Sequence, residues 1–170
     1  MPKPCHYLLR TSCKYCLFLY LCWLCMIALH ELGHVVFAVF SGGTVSHVSF
    51  PLVGFSQTHL LKNPSPLFVA WGGMVVGCTL PVILWLGVKS VHKRYGIWSQ
   101  FVAGFCLVVN GCYIACGSFT HAGDADDMLR HGSPQWILIV TGAVAAVAGL
   151  YVWHLAGITI RKNASLGKPE

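Results

Sequence analysis

The sequence predicts an all-α membrane protein, with four transmembrane helices and a short hairpin or re-entrant loop between the first and the second. Of its 170 residues, 56% are hydrophobic and only 9% are charged, whereas a soluble domain carries roughly 25% charged residues. Four apolar stretches also reach the length of about 20 residues that a helix needs to cross a bilayer. A chain with so few charges cannot cover a water-facing surface, so we predict an integral, multi-pass membrane protein.

The predicted spans comprise residues 15–40, 67–88, 96–117 and 135–160. Each ends within a few residues of Gly, Pro or a cationic cluster, as helix ends commonly do. We therefore divide the chain into a basic N-terminal segment (1–14), one four-span domain (15–160) and a polar tail (161–170). A cleaved signal peptide is the alternative for the N-terminus, but no small-residue cleavage site follows and the apolar run continues to Phe40.

Most of the cationic residues lie on one side of the membrane if the chain crosses it four times. Three precede the first span, three lie between the second and third spans, and three follow the fourth, so nine of the eleven share a side. Lys62 and Arg130 lie on the other side. This bias predicts that both termini are cytoplasmic. Because the cations mark span ends, we expect the lipid bilayer as a partner and no nucleic acid.

Two pairs of cysteines near the start of the first span could be interpreted as zinc ligands. "CKYC" (Cys13, Cys16) and "CWLC" (Cys22, Cys25) are both C-x-x-C pairs. A zinc ribbon needs its two pairs about 15–20 residues apart on turns, so we expect small apolar residues packed in the membrane instead. S-palmitoylation near the cytoplasmic face, at Cys5, Cys13 and Cys16, is the alternative.

The stretch "ALHELGHVVF" places ionisable side chains inside an apolar helix. Residues i and i+4 share a helix face about 6 Å apart, so His30 and His34 can reach one metal ion while Glu31 lies beside them. This is the H-E-x-x-H zinc arrangement, with the glutamate as general base. The alternative is a buried histidine pair bonded to carbonyls, which leaves unexplained a carboxylate that costs a few kcal/mol to insert into a membrane.

A catalytic zinc site needs a third protein ligand. The third span finishes at the same membrane end as the first and is followed by "GSFTHAGDADDMLRHG". The candidates in this stretch are His121, Asp124, Asp126, Asp127 and His131.

These residues resemble the site-2 protease family of intramembrane zinc metalloproteases. "HELGHVVFAVFSGGTV", then a Gly-rich helix with "GGMVVG" and a later "GDADDM", are similar to its compact branch, which lacks an inserted peptide-binding domain. The resemblance covers about residues 25–130. It implies an aspartate on a later span as third ligand, usually in a Leu-Asp-Gly motif. This chain has "AGDADD" instead, and the position carried over is Asp124, with Asp126, Asp127 and His121 as alternatives.

The resemblance further implies one Zn²⁺ per chain and a transmembrane protein substrate, cleaved within its membrane segment. It gives Asn110 an oxyanion role, although a bond to a neighbouring helix explains a polar residue there equally well. "TVSHVSFPLVGFSQTHL" is broken at Pro51 and Gly54 and is expected to hold an unwound substrate as an added strand, or to be an ordinary loop. His47 and His59 are expected to be loop residues.

Other functions remain open from the sequence: a membrane protein that binds or transports zinc without proteolysis, and an inactive protease-like interaction protein. Sidedness is also open. The charge bias puts the zinc near the non-cytoplasmic face, about 10 Å below the surface if the helix ends at Phe40, whereas the resemblance implies the cytoplasmic side. The remaining features are expected to serve helix packing, namely Gly73, Gly77, Pro81 and the small residues of 141–149.

Overall fold

The computed structural model describes the backbone of residues 5–166 and the side chains of residues 9–92 and 95–162. Residues 1–4 and 167–170 of the predicted terminal segments, and the side chain of Cys5, lie outside the described part. The elements in chain order are α1 (Cys5–Phe40), β1 (Thr44–Ser49), β2 (Gln57–Lys62), α2 (Pro66–Val91), α3 (Lys93–Thr120), α4 (Gly123–Arg130) and α5 (Gln135–Leu166).

Four of these helices are long and apolar enough to cross a membrane: α1, α2, α3 and α5. The predicted class, a multi-pass membrane protein with four spanning helices, is confirmed at this level. α1 begins at Cys5, ten residues before the predicted span. The reason is that nothing between Cys5 and Gly33 breaks a helix, and hydropathy marks only the part of a helix that suits lipid.

The helices pack in the order α1, α2, α3, α5, with weaker contact between α1 and α3. Small residues set these contacts. A Cβ on Gly33 of α1 or on Gly72 of α2 would collide with the backbone of the other helix, and the same holds for Gly111 of α3 and Gly142 of α5. Without side chains between them, the helix backbones approach closely, which compensates for the absence of a hydrophobic driving force in lipid.

β1 and β2 form a two-stranded antiparallel sheet, in which Val45 pairs with Leu60 and Ser49 with Gln57. The segment 50–56 between them reaches back along α1, because the Tyr20 hydroxyl donates to the Leu52 carbonyl at 2.8 Å. Tyr20 precedes the end of α1 by 20 residues, or about 30 Å of helix. The connecting segment therefore lies alongside the membrane-spanning part of α1.

α4 is a short helix that the sequence analysis did not predict. It follows a break at the end of α3, where His121 is left-handed and Ala122 is extended. Ala125 and Met128, three residues apart on one face, are fully buried. The helix thus packs its apolar face against α2 and α3.

Candidate metal centre

The two histidines of the opening motif lie on one face of α1, with ring centroids 4.8 Å apart. His30, Glu31 and His34 are all buried, at 7%, 3% and 7% exposure. Their ligand atoms lie within 4.8 Å of one another, close enough to hold one metal ion.

Each imidazole is held at its Nδ1 atom by a different helix. His34 Nδ1 is 2.8 Å from the Val69 carbonyl of α2, which can only accept. His30 Nδ1 is 2.7 Å from Asn110 Oδ1 of α3, and the Asn110 amide nitrogen donates to the carbonyls of Cys106 (2.9 Å) and Gly77 (3.4 Å). Both Nδ1 atoms therefore donate, which leaves the Nε2 atom of each neutral ring with a lone pair and no proton.

Asp124 completes a triangle with these two nitrogens. Its Oδ2 lies 2.7 Å from His30 Nε2 and 3.1 Å from His34 Nε2, while the nitrogens are 3.1 Å apart. With both rings neutral in this tautomer, three lone pairs face one point, and a cation bound there would offset their mutual repulsion.

This donor set fits zinc. Two imidazole nitrogens and one carboxylate oxygen are the ligands of a catalytic site, in which the fourth tetrahedral position stays open. With zinc–ligand distances of about 2.0–2.1 Å, ligand atoms of a tetrahedron lie about 3.3 Å apart. Two of the separations here are 3.1 Å and the third is 2.7 Å. The Nδ1 contacts to Asn110 and Val69 are the outer hydrogen bonds that metal-binding histidines commonly make.

The break between α3 and α4 positions Asp124. Gly123 has a φ of +58°, and a Cβ at this residue would collide with the Tyr113 hydroxyl. That hydroxyl accepts the Asp124 backbone N–H at 3.2 Å. Asp124 also lies in the first turn of α4, where the helix dipole stabilises a carboxylate.

The other acidic candidates point elsewhere. Asp126 binds Arg130 at 2.7 Å and lies 3.5 Å from His121. Asp127 is exposed, and its carbonyl accepts from His131 Nδ1 at 2.7 Å. Of the acidic side chains that follow α3 in the described part of the chain, the structure places Asp124 beside the two histidines.

Glu31 lies against the sheet segment. The Ser56 hydroxyl donates to Glu31 Oε1 and the Thr58 hydroxyl to Oε2, each at 2.6 Å. A carboxylate accepts about four hydrogen bonds, so capacity remains for a water molecule at the metal position.

Asn110 was expected either to have an oxyanion role or to bond a neighbouring helix. It is 1% exposed, and its amide hydrogens point to the carbonyls of Cys106 and Gly77 rather than to open space. Its Oδ1 instead contacts His30 Nδ1 and fixes the orientation of that imidazole. The alternative expectation, a hydrogen bond to a neighbouring helix, agrees with its contact to the Gly77 carbonyl of α2.

Gly73 and Gly77 do more than pack helices. A Cβ on Gly73 would collide with the Nε2 atoms of both His30 and His34, and one on Gly77 would press on the Asn110 side chain. The expected close approach of a neighbouring helix is found at Gly73, since a Cβ on Gly33 of α1 would come within 3.0 Å of the Gly73 Cα. α2 leaves space for the metal centre at these two positions.

The centre opens into a cavity of about 870 Å³. Apolar side chains of α1 and α3 line its inner part, and polar groups of β2 and α4 line the part nearer the ends of these helices. The lining includes Trp23, Ile27, Val109, Tyr113, Gln57 and Asp127. This volume is in the range of sites that enclose a ligand.

The remaining candidate ligands lie away from the centre. His47 and His59 face each other across the sheet, with rings stacked 4.3 Å apart. Cys13, Cys16, Cys22 and Cys25 are free thiols on the continuous helix α1, which does not provide the turns of a zinc ribbon.

Comparison of the chain with protein-family models, curated proteins and solved structures gives no match. The centre is therefore interpreted from its own geometry and chemistry.

The sequence analysis missed several groups at the site, and three of them had a signal in the sequence. Ser56 and Thr58 are two residues apart in a predicted extended stretch, so their side chains project to the same side. Tyr113 follows Asn110 by three residues, on the same face of the third span. No side-chain pattern marks the Val69 carbonyl.

Proposed function

We propose that the chain is a zinc-dependent intramembrane endopeptidase of the site-2 protease type. His30, His34 and Asp124 hold one Zn²⁺, and Glu31 is the general base. The observation that carries the proposal is the convergence of two imidazole nitrogens and one carboxylate oxygen within 3.1 Å of one another, beside the buried Glu31 and a cavity. Zinc lowers the pKa of a bound water from 15.7 towards about 7 and polarises a carbonyl oxygen.

The chain's own residues supply the proton transfer. Glu31 accepts a proton from the water that attacks the peptide carbonyl, and returns it to the amine that leaves. Asn110 and the Val69 carbonyl hold both imidazoles in the tautomer that presents Nε2. The surrounding burial keeps bulk water from competing for the carboxylate.

The substrate is a transmembrane segment of another protein. Such a segment must be unwound locally, because a helix uses its own carbonyls in hydrogen bonds. The two-stranded sheet beside the cavity has free edges, and an unwound segment can add to one of them as a further strand. Cleavage of this kind releases a domain from the membrane, which is a regulatory event.

The experiment compares Glu31→Gln with the purified wild-type chain in detergent. The probe is a polypeptide with a single apolar span, interrupted at its centre by Gly-Pro so that the helix is weak there. Wild type is expected to contain one zinc and to cut the probe, and Glu31→Gln to keep its zinc without cutting. The matched control is Glu170→Gln, at the only other glutamate of the sequence, and it is expected to act as wild type.

The same measurements separate the competing functions. Zinc in the wild type without cleavage of any membrane segment would favour a zinc-binding or transport protein, or an inactive relative. Cleavage by Glu31→Gln at the wild-type rate would exclude Glu31 as base. His30→Ala is expected to lose zinc and cleavage together, and a full equivalent of zinc in that variant would exclude the site.

A further inference from the structure

The carboxylate of Glu31 is held by an element other than its own helix. Each of its oxygens accepts a hydrogen bond of 2.6 Å, one from Ser56 just before β2 and one from Thr58 within it. Glu31 is 3% exposed. Two short charge-assisted hydrogen bonds to different oxygens leave the carboxylate plane little freedom to rotate.

The sequence around these hydroxyls explains why both reach one carboxylate. Ser56 and Thr58 are two residues apart in extended backbone, so their side chains project to the same side about 7 Å apart. The two oxygens of a single carboxylate therefore receive one hydroxyl each. Gln57 between them pairs with Ser49.

The segment that carries the hydroxyls is itself attached to two helices. Tyr20 of α1 donates to the Leu52 carbonyl at 2.8 Å, and the Phe55 ring stacks on Tyr113 of α3 at 6.1 Å. The first of these contacts fixes the start of the segment and the second fixes the residue next to Ser56. The position of the hydroxyls is therefore set by the bundle and not by a free loop.

We propose that Ser56 and Thr58 are positioning residues, which hold the Glu31 carboxylate in the orientation that accepts a proton at the metal centre. This inference rests on the proposed function, because it assigns a second element to the alignment of the same base. It means that α1 provides the base while the sheet segment aligns it. A segment displaced from α1 would leave the zinc ligands in place and the base misaligned.

The test uses acetohydroxamic acid as the probe. A hydroxamate binds zinc through its two oxygens, and its acidic proton is accepted by a neighbouring carboxylate, so its affinity depends on both the metal and Glu31. Zinc content is measured separately in the full chain. Hydroxamate binding is followed by the visible absorption of the Co²⁺-substituted protein.

Thr58→Val and Ser56→Ala are each expected to weaken hydroxamate binding about tenfold while keeping one zinc per chain, because each removes a hydrogen bond to a charged group. Thr58→Ser keeps the hydroxyl and is expected to bind as wild type. Thr79→Val and Ser90→Ala are the matched controls, since these hydroxyls bond only to carbonyls within α2. Both controls are expected to be unchanged.

A double-mutant cycle separates positioning from general structural damage. In a Glu31→Gln background, Thr58→Val is expected to cause no further loss, because no base remains to be aligned. The inference would be overturned, with the proposed function intact, by a loss that persists in the Glu31→Gln background or by unchanged or tighter binding in the single variants. Weak binding by Thr58→Ser would overturn it as well. A wild-type chain that binds no zinc would instead overturn the proposed function, and this inference with it.

Discussion

Each histidine of the centre makes a hydrogen bond at Nδ1, the nitrogen that does not face Asp124. His34 uses a backbone carbonyl, which no substitution of a side chain removes. His30 uses Asn110, a side chain that is itself held by two carbonyls of α2 and α3. A side-chain substitution can therefore remove the hydrogen bond that fixes the tautomer of His30, but not the one that fixes the tautomer of His34.

Asn110→Leu is expected to lower zinc affinity by about 10–100-fold, the usual effect of losing an outer hydrogen-bond partner of a metal ligand. Competition with a zinc chelator of known affinity measures the change. Gln100→Leu is the matched control, because Gln100 is a buried amide on the same helix that donates to the Val152 carbonyl. Equal losses in the two variants would show damage to the helix packing instead.

Asp124→Asn is expected to reduce zinc affinity strongly, because an amide oxygen is a poorer zinc ligand than a carboxylate. Asp126→Asn and Asp127→Asn serve as controls, since Asp126 binds Arg130 and Asp127 is exposed. Zinc content after dialysis distinguishes the three variants. A large loss in Asp126→Asn or Asp127→Asn would move the ligand to that residue without changing the reaction class.

At the scale of elements, α2 shapes the centre through glycines, which leave parts of its surface without side chains. It contributes the Val69 carbonyl and, one turn later, the side-chain-free surface at Gly73 over which both imidazoles lie. Further along, Gly77 leaves room for Asn110. The helix therefore serves as a wall of the metal centre as well as a packing partner of α1 and α3.

Gly73→Ala is expected to abolish zinc binding, because the new Cβ would occupy the space of both Nε2 atoms. Gly87→Ala, on the same helix with nothing within 4 Å of the added Cβ, is expected to keep zinc. It should also stabilise α2 by up to about 1 kcal/mol, since Ala is the better helix former. Thermal unfolding and zinc content are measured for both. Full zinc in Gly73→Ala would contradict the observed placement of the histidines.

At the scale of the whole molecule, the ends of α1 and α3 lie on one side of the bundle, together with α4 and the sheet. The start of α1 and the end of α5 lie on the other side. Arg10 and Lys14 near the start of α1, and Arg161 and Lys162 near the end of α5, mark the terminal side. The positive-inside rule then places the cavity towards the non-cytoplasmic side, while the family resemblance implies the reverse.

Glycosylation in a eukaryotic cell decides between the two orientations. Asn163-Ala164-Ser165 is a sequon close to the end of α5, and the Asn163 side chain lies outside the described residues. We expect a second sequon, placed on a longer tail well clear of the membrane, to remain unglycosylated. A sequon placed on a spacer in the 41–66 connection is expected to be glycosylated. A modified tail would put both termini outside and contradict the charge count.

The sequence alone determined the features that depend on neighbours along the chain. The four spans follow from apolar length, because lipid requires apolar side chains over a whole helix. The shared face of His30 and His34, with Glu31 beside it, follows from the helical repeat. These relations need no information about how the helices cross.

Only the tertiary structure decided how distant residues meet. It brought Asp124, rather than Asp126 or Asp127, to the histidines, because the backbone break at Gly123 and the Tyr113 hydroxyl set the start of α4. It turned Asn110 to His30 and placed Gly73 beneath both rings, because glycine contacts set how closely α2 approaches its neighbours. Such positions depend on the crossing of helices, on which the spacing of residues in one helix carries no information.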